Sequence, residues 1–222
     1  MMSSNIDFVC PVEADLYEAV MEHLRLTFFW EEPLNVCVSL CEARGSGHPK
    51  LEAVCLDTLQ DGLSIVALSD GKVVGCALNG SQSRQQLDEA IEQTYAETDK
   101  KFRGIFAMLY ENNREINLFG KYNVHDIFEC RILSVDPEYR GRGIARILLD
   151  QSIQEAQLRG FKLFKVDATS AISQRICKSR GLTLEHELLY ADRLDPDTGK
   201  PAFAPPPPHF GLQIYTQLFQ SE

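Results

Sequence analysis

The sequence is poor in positive charge and has no long apolar run. Its 222 residues include 22 Lys and Arg against 32 Asp and Glu, which gives a formal net charge of −10. A surface of that sign repels nucleic acid and anionic lipid, so we expect neither a nucleic-acid partner nor a membrane partner. No apolar run approaches the roughly 18 residues that a transmembrane helix requires, so we expect no such helix.

Cysteine-pairing motifs, metal-ligand spacings and an export signal are also missing. The cysteine count of seven is odd and no CxxC occurs, which indicates reduced thiols rather than a disulfide framework. Neither HExxH nor another metal-ligand spacing is present among the His and Cys residues, so we expect no metal. Residues 1–5 have neither a basic stretch nor an apolar core. The sequence therefore predicts no signal peptide and a cytoplasmic protein.

The second half of the sequence alternates between strand and helix patterns. Its clearest strand is residues 126–135 (DIFECRILSV), which are rich in β-branched and aromatic residues. The elements predicted after it are a helix at 143–159 with one apolar face, a strand at 161–166, a helix at 170–180, and strands at 182–190 and 212–219. This order predicts an α/β (α+β) fold with a mixed sheet flanked by helices.

The first half predicts a hairpin and further helices. Asp70-Gly71 lies between apolar runs at 63–68 and 72–78, which is a strong hairpin signal. The other elements predicted here are a strand at 6–10, a helix that Pro11 opens, a helix at 49–59 and an interrupted helical region at 83–112. With 44% apolar residues, the chain can bury a substantial core. We expect one domain over residues 1–222, with flexible ends at 1–4 and 221–222.

The segment at 135–145 (VDPEYRGRGIA) has the features of a phosphate-binding loop. A strand ends, a turn follows, and a loop rich in Arg and Gly enters the helix predicted at 143–159. Glycines allow close approach of backbone amides, the helix N-terminus adds unpaired donors, and Arg140 and Arg142 add positive charge. A dinucleotide motif would need glycine at position 146, where Arg146 stands, and GK[ST] is absent. The alternative interpretation is a tight turn that needs glycine for backbone reasons alone.

This loop resembles the acetyl-CoA signature of the GNAT acetyltransferase superfamily, [Q/R]-x-x-G-x-[G/A]. The match is carried by Arg140, Gly143 and Ala145 after the strand Ile132-Leu133-Ser134-Val135. The resemblance implies a GNAT-type, mainly antiparallel sheet, with the strand beside the pantetheine arm of acetyl-CoA and the loop amides on its pyrophosphate. The residues it implies for acetyl-CoA are Leu133, Ser134, Val135, Arg140, Gly141, Arg142, Gly143, Ile144, Ala145 and Ser170.

Three further segments resemble insect arylalkylamine (dopamine-type) N-acetyltransferases. They are FFWEEPLN at 28–35, SQRI and SRGL within 173–182, and PHFGLQ at 208–213. They stand in the family's order, and the resemblance covers roughly residues 5–220. It implies direct transfer of an acetyl group from acetyl-CoA to the primary amine of a small molecule, and we expect a monomer.

The resemblance places a general base at Glu32. An ammonium group cannot attack a thioester until it loses a proton, so the chemistry requires a base. Pro33 fixes the chain direction beside Glu32, and His209 is implied to line the amine pocket. The alternative is that Glu32 starts a helix, where the dipole favours acids, and that His209 bonds to loop backbone. Glu31 is expected to be solvated and to serve as a control.

Two hydroxyl residues, Thr169 and Ser173, match positions that the family uses near the thioester. They are four apart, so we expect them on one helix face, where one could protonate the departing thiolate. The ordinary alternatives are a helix N-cap for Thr169 and a solvated residue for Ser173. Tyr190 could also supply an acid, or simply pack. Two rival functions remain: acetylation of a peptide or protein by the same fold, and a non-catalytic CoA-binding module.

Overall fold

The computed structural model describes residues 5–195 and 198–219, so the ends predicted to be flexible lie outside the described residues. One seven-stranded sheet has the order β1-β2-β3-β4-β5-β7-β6. Its strands are β1 (Asp7–Val9), β2 (Ile65–Ser69), β3 (Lys72–Ser83), β4 (Asp126–Val135), β5 (Leu163–Ala168), β6 (Thr183–Leu189) and β7 (Gly211–Leu218). Only β4 and β5 pair in parallel, and every other neighbouring pair is antiparallel. The prediction of a mixed, mainly antiparallel sheet is confirmed.

Helices cover both faces of this sheet. They are α1 (Tyr17–Leu26), α2 (Phe28–Glu31), α3 (Pro33–Val38), α4 (Pro49–Gln60), α5 (Arg84–Ala96), α6 (Lys100–Ile116), α7 (Leu118–Tyr122), α8 (Ile144–Leu158) and α9 (Ala171–Ser179). One core lies under α1, α4, α5 and α6, and includes Leu24, Leu59 and Met108. The other lies under α8 and α9, and includes Leu148 and Cys177. No helix of the described residues is long and apolar enough to cross a bilayer.

Two predictions about the first half of the chain were wrong in detail. Pro11 does not open a helix: Glu13 has extended backbone, a 3-10 turn follows at Ala14–Leu16, and α1 begins at Tyr17. The strand predicted at 72–78 continues to Ser83, because the polar residues after Leu78 pair with β4 in the middle of the sheet. Ser83 then caps α5 with its side chain.

A bulge at Arg131 changes the direction of side chains along β4. Leu78 of β3 pairs with Ile132, but the next residue, Asn79, pairs with Cys130, so β4 has one extra residue. Side chains alternate between the two faces of a sheet along a regular strand. The extra residue shifts this alternation, so the residues after Arg131 point to the opposite face from the one that a regular strand would give them. Before the bulge Cys130 belongs to the core under α8, and after it Leu133 packs on that core instead.

The strands β4 and β5 separate at the same point. Their pairing is limited to Phe128–Cys130 with Phe164–Val166. Beyond Cys130, no strand of the described chain pairs with the edge of β4 that faces β5. The backbone amides and carbonyls of β4 at 132–135 therefore border an open cleft. The parallel pair therefore holds the two strands together at one end and opens a site at the other.

Candidate active site

A cavity of about 730 Å³ begins in the cleft between β4 and β5. The predicted site residues that line it are Glu32, Pro33, Leu133, Ser134, Val135, Arg140, Ala145, Thr169, Ser170, Ser173 and His209. Predicted residues outside its lining are Gly141, Arg142 and Gly143, which are exposed, and Ile144, whose side chain is buried in the core under α8. The fold thus gathers three segments, around residues 32, 133 and 170, that are more than thirty residues apart in sequence.

Glu32 both caps a helix and lines the cavity. Its backbone is extended, its Oε2 accepts a hydrogen bond from the Asn35 amide at 2.7 Å, and Pro33 occupies the first turn of α3. Its Oε1 is buried and accepts no hydrogen bond from the described residues. The two interpretations of Glu32 are therefore compatible, since one carboxylate oxygen serves the helix and the other is left without a partner.

Burial raises the pKa of Glu32 above the usual 4.5. The amides of α3 and the hydroxyl of Thr169, which lies beside Glu32, oppose this shift without cancelling it. A carboxyl with a raised pKa takes up a proton more readily than an ordinary glutamate, which suits a group that accepts a proton from an amine.

The raised pKa of Glu32 also predicts a change in stability. A buried acid with a raised pKa contributes stability below the unfolded-state pKa and loses it as the pH rises through the folded-state pKa. Glu32→Gln should therefore melt higher than the wild type at pH 8, by about 2–4 °C for each kcal/mol recovered. The difference in melting temperature between Glu32→Gln and the wild type should vanish near pH 4, where Glu32 is protonated and neutral in both the folded and the unfolded state. Thermal melts across pH check this, and a lower melting temperature of the variant at pH 8 would contradict it.

The loop at 140–145 forms the N-terminus of α8. Gly141 and Gly143 have φ of +77° and +81°, a region that other residues enter at a cost. Gly143 is the N-cap and offers no side chain to the helix, so the amides of the first turn remain available to an anion. The Arg142 guanidinium donates to the Glu138 carbonyl and lies 4.7 Å from the centre of the Tyr139 ring.

Arg140 connects this loop to the segment that contains Glu32. Its Nε donates to the Val135 carbonyl at 3.1 Å, and its Nη2 forms an ion pair with Glu31. Glu31 is exposed, as expected, but it is not free of the site, because α2 brings it against the loop and into the ion pair with Arg140. Glu31 is consequently unsuitable as a neutral control for Glu32.

Ser170 and Ser173 form a capping box at the start of α9. The Ser170 Oγ accepts from the Ser173 amide at 3.1 Å, and the Ser173 Oγ accepts from the Ser170 amide at 3.3 Å. The Ser173 hydroxyl also lies 2.9 Å from the Ser170 carbonyl, to which it donates. Thr169 precedes the N-cap, so the expectation that Thr169 and Ser173 share a helix face was wrong, and Ser170 rather than Thr169 caps the helix.

His209 reaches the same helix from the loop before β7. Its Nδ1 accepts a hydrogen bond from the Ala171 amide at 3.2 Å, and burial lowers its pKa below 6.5. A neutral ring with Nδ1 as acceptor carries its proton on Nε2. Tyr190 is buried and donates to the Thr169 carbonyl at 2.8 Å. Both side chains therefore bond to backbone around the cavity.

Comparison with known proteins agrees with this geometry. The model of the acetyltransferase (GNAT) family matches residues 17–182, about three-quarters of the chain. The chain belongs to the GNAT acetyltransferase family. Acetyltransferases of this family use acetyl-CoA, and the acyltransferase activity expected from the sequence is confirmed at that level.

Solved structures of insect acetyltransferases cover nearly the whole chain. Arylalkylamine N-acetyltransferase 2 from Aedes aegypti is 43% identical, with 96% of this chain and 99% of that one covered and a TM-score of 0.92. The Drosophila melanogaster polyamine N-acetyltransferase, which forms N-acetylagmatine, is 25% identical, with 97% and 100% covered and a TM-score of 0.86. A mosquito arylalkylamine N-acetyltransferase-like 5b is 24% identical, with the same coverage and TM-score, and at that identity shows the fold alone.

The thiols near the site of this GNAT acetyltransferase are poorly suited to covalent transfer. Cys130 and Cys177 both line the cavity and are buried. Burial raises the pKa of Cys177 to about 12 and that of Cys130 further, so both thiols are protonated at neutral pH. Among the described residues, no group of three or more His, Cys, Asp and Glu side chains is placed to hold a metal ion.

Sequence reasoning missed a network of buried charges in this GNAT acetyltransferase. The Lys165 ammonium, 1% exposed, contacts Glu129 at 2.5 Å and Asp167 at 3.3 Å, and donates to Asn113 at 2.5 Å. Arg131, the bulge residue, pairs with the other oxygen of Glu129 at 3.1 Å. The signal for this cluster was the alternation of Lys165 and Asp167 with apolar residues along β5, which places both charges on one face of the sheet.

The four charges affect each other's protonation. Burial alone would raise the pKa of Glu129, but Lys165 and Arg131 lower it to about 2. Burial raises the pKa of Asp167, and Lys165 opposes that shift. Asp61 also lies 4.0 Å from Arg131, so three carboxylates face the two cations in this part of the molecule.

An aromatic wall on α6 was also missed. Phe102, Phe106 and Tyr110 follow one another at four-residue spacing, with ring centres 4.2 Å apart for the first pair and 5.7 Å apart for the second. Phe106 and Tyr110 line the cavity. The region was predicted as helical in pieces, and the i, i+4, i+8 spacing of these rings was the signal that could have found the wall.

Proposed function

We propose that this GNAT acetyltransferase transfers the acetyl group of acetyl-CoA to the primary amine of a small arylalkylamine, with Glu32 as the general base. The observation that carries the proposal is the placement of the Glu32 carboxylate. It lies buried in the same cavity that the free edge of β4 and the 140–145 loop border, and its Oε1 is without a partner.

The acyl donor fits the side of the cavity formed by β4 and α8. Uncapped amides at the start of α8, with Arg140 and Arg142 close by, form an environment for the pyrophosphate. The backbone of Leu133, Ser134 and Val135 has no β5 partner and can hydrogen-bond to the pantetheine arm. Acetyl-CoA supplies the activated acetyl group as a thioester when bound.

The acceptor amine enters on the Glu32 side. Glu32 removes a proton from the ammonium, directly or through a water, and the freed nitrogen attacks the thioester carbonyl. Backbone amides near 133–135 stabilise the charge that develops on the carbonyl oxygen. A C–N bond forms, the C–S bond breaks, and the thiolate takes a proton from solvent or from a hydroxyl such as that of Ser173 or Thr169.

An aromatic substituent on the amine suits the walls of the cavity. Phe28, Phe106 and Tyr110 present ring surfaces to it, and aromatic pairs gain about 0.5–1.5 kcal/mol beyond simple burial. The 43% identity to the Aedes aegypti arylalkylamine enzyme supports the same substrate class.

A panel of amines assayed by CoA release tests this function. The panel includes arylalkylamines, an aliphatic amine, agmatine and an N-terminal peptide. Fastest turnover of an arylalkylamine supports the proposal. Preference for the peptide would favour protein acetylation by the same fold, and acetyl-CoA binding without turnover of any acceptor would favour a non-catalytic module.

Ser173→Ala tests the hydroxyl at the leaving-group side. If the hydroxyl donates to the thiolate, kcat should fall about tenfold, or ~1.4 kcal/mol, with little change in the KM for the amine. The melting temperature should also fall, because Ser173→Ala removes one of the two hydrogen bonds of the capping box, and the loss of a cap costs about 1 kcal/mol. Steady-state kinetics and melts measure the two effects separately.

Ser170→Ala is the matched comparison for Ser173→Ala, since it removes the other half of the same capping box. Because Ser170 also lines the cavity, the KM for acetyl-CoA is measured for both variants. A similar melting temperature for both, with a larger loss of kcat in Ser173→Ala at saturating acetyl-CoA, supports a role in the reaction. Full kcat in a destabilised Ser173→Ala would show that the residue is only structural.

A further inference from the structure

Three buried hydrogen bonds join the end of α1 to β4. The Ser134 Oγ lies 3.0 Å from the His23 Nε2 and 2.9 Å from the Thr27 Oγ1. The Thr27 hydroxyl donates to the His23 carbonyl at 2.6 Å, which closes the circuit. All three side chains are buried. These hydrogen bonds form one closed unit, the Ser134 bridge, between a helix and the strand that borders the cleft.

The distances fix the direction of every proton in the Ser134 bridge. The Thr27 hydroxyl gives its one proton to the His23 carbonyl, so towards Ser134 it can only accept. The Ser134 hydroxyl therefore donates to Thr27 and accepts from the Nε2–H of His23. Burial lowers the pKa of His23 to about 4, so at neutral pH the ring is the neutral Nε2–H tautomer. Removal of any one member leaves a buried donor or acceptor of another without its partner.

Thr27 is the corner between α1 and the segment that carries Glu32. The helix α1 ends at the residue before Thr27, and α2 begins at the residue after it. The Thr27 side chain does not cap α2, but its carbonyl accepts from the Glu31 amide at 2.9 Å. The Phe28 carbonyl accepts from the Glu32 amide, also at 2.9 Å. A single hydrogen-bonded turn therefore connects Thr27 to Glu32, so the placement of Thr27 determines that of Glu32.

Ser134 belongs to the other partner of the proposed reaction, the thioester. Its backbone lies within 133–135, the part of β4 that borders the cleft proposed for the pantetheine arm. On the other edge of β4, Ser134 pairs with Cys76 of β3. The Ser134 bridge thus ties the strand beside the thioester to the turn that carries the base, two segments that are about one hundred residues apart in sequence.

We propose that His23, Thr27 and Ser134 are positioning residues, and that the Ser134 bridge sets the Glu32 carboxylate at its working distance from the thioester held along β4. This inference rests on the proposed function. The two hydroxyls and the imidazole take no part in the chemistry and act through Glu32. Because a misplacement of about 1 Å at the reacting atoms can lower a rate by roughly 10², loss of the bridge should lower kcat more than it weakens binding.

Thr27→Val and Thr27→Ser provide the first test, since valine lacks the hydroxyl and serine keeps it. At saturating acetyl-CoA and amine, kcat of Thr27→Val should fall about tenfold, with the KM for acetyl-CoA within about threefold of the wild type. Thr27→Ser should keep kcat within about twofold, because it can still accept from Ser134. Full kcat in Thr27→Val, or equal losses in both variants, would overturn the proposal.

Ser152→Ala is the control for lost stability. The Ser152 hydroxyl on α8 is also buried, donates to the Leu148 carbonyl four residues earlier at 2.9 Å, and accepts from the Asn79 amide group at 3.0 Å. It lies outside the lining of the cavity. Its removal should lower the melting temperature as Thr27→Val does, while kcat stays within about twofold. A loss of kcat equal to that of Thr27→Val would show a general effect of stability and would overturn the proposal.

Nitrogen NMR of the wild type at pH 7 tests the Ser134 bridge itself, with the His23 signals assigned from their loss in His23→Gln. The His23 ring should be the Nε2–H tautomer. The Nδ1–H tautomer would draw the Ser134 proton to His23 and leave none between Ser134 and Thr27, which would overturn the proposal.

Dependence on Glu32 separates this inference from the proposed function. Thr27→Val should lower kcat/KM about tenfold in the wild type but less than about twofold in Glu32→Ala, because the bridge acts through that carboxylate. A tenfold loss in both backgrounds overturns the positioning role and leaves acetyl transfer standing. Absence of turnover with every amine in the wild type refutes the proposed function and this inference with it. If Thr27→Val melts below the assay temperature, Ser134→Ala takes its place with the same expected values.

Discussion

Glu32→Ala should lower kcat/KM for the best amine by roughly 10²–10⁴, the usual scale for loss of an acid–base group. The reason is geometric as well as chemical: the carboxylate is buried in the cavity, and its Oε1 has no hydrogen-bond partner among the described residues. In the wild type, kcat/KM should rise with pH as Glu32 loses its proton. The midpoint of this acidic limb of the pH–rate profile should lie above the 4.5 of an ordinary glutamate, because burial raises the pKa of Glu32. The acidic limb should vanish in Glu32→Ala.

Steady-state kinetics across pH measure this effect, with Asp57→Ala as the control. Asp57 is an exposed carboxylate that also lines the cavity, so its loss changes the local charge without removing the proposed base. Its kcat/KM should stay within about twofold of the wild type. Comparable losses in Glu32→Ala and Asp57→Ala would show that Glu32 acts only through charge, and an intact acidic limb in Glu32→Ala would exclude it as the base.

Gly143→Asp should abolish measurable acetyl-CoA binding, with a loss of affinity of about 100-fold or more. An Asp at the N-cap of α8 places its carboxylate on the same amides that a pyrophosphate would use, and its charge repels the phosphates. A side-chain atom at Gly143 meets nothing within 4 Å, but the φ of +81° strains any residue other than glycine, so the fold should survive with a lower melting temperature. Calorimetric titration of acetyl-CoA and a thermal melt check both statements.

Gly143→Asn is the matched control for Gly143→Asp. Asn has the same size, can also cap the helix, and tolerates the positive φ of 81° about as well, but it has no charge. If Gly143→Asn loses much less affinity for acetyl-CoA than Gly143→Asp does, the negative charge of Asp, which competes with the pyrophosphate, is the cause of the loss. Unchanged affinity in a folded Gly143→Asp would show that the loop does not hold the pyrophosphate.

Elements with strong local patterns were predictable from the sequence. The strand β4 has the predicted bounds, Asp126–Val135, because its β-branched and aromatic residues form a continuous run. The helix α8, Ile144–Leu158, differs from the predicted 143–159 by one residue at each end, because glycines bound its apolar face. The positions of Glu32, Thr169 and His209 around one cavity agree with the family resemblance, while their roles stay predictions.

Contacts between distant segments could not be predicted in the same way. Glu31 and Arg140 are 109 residues apart, and no spacing rule links them. The start of α9 could not be predicted to the residue either. Thr169 and Ser170 are both good N-cap residue types, so the sequence does not decide which of them caps α9. The Arg131 bulge inverts the faces of β4 within an unbroken strand pattern, so the alternation of the sequence alone gives the wrong face for Leu133.

During synthesis, the sheet stays incomplete until residues 211–218 have left the ribosome, because β7 lies between β5 and β6. Until then β6 has no strand to pair with and β5 is held only by its short pairing with β4. The nascent chain therefore exposes strand edges that can pair with other chains through that interval. His209 stands two residues before β7, so its hydrogen bond to the start of α9 can form only after this late part of the chain has been made.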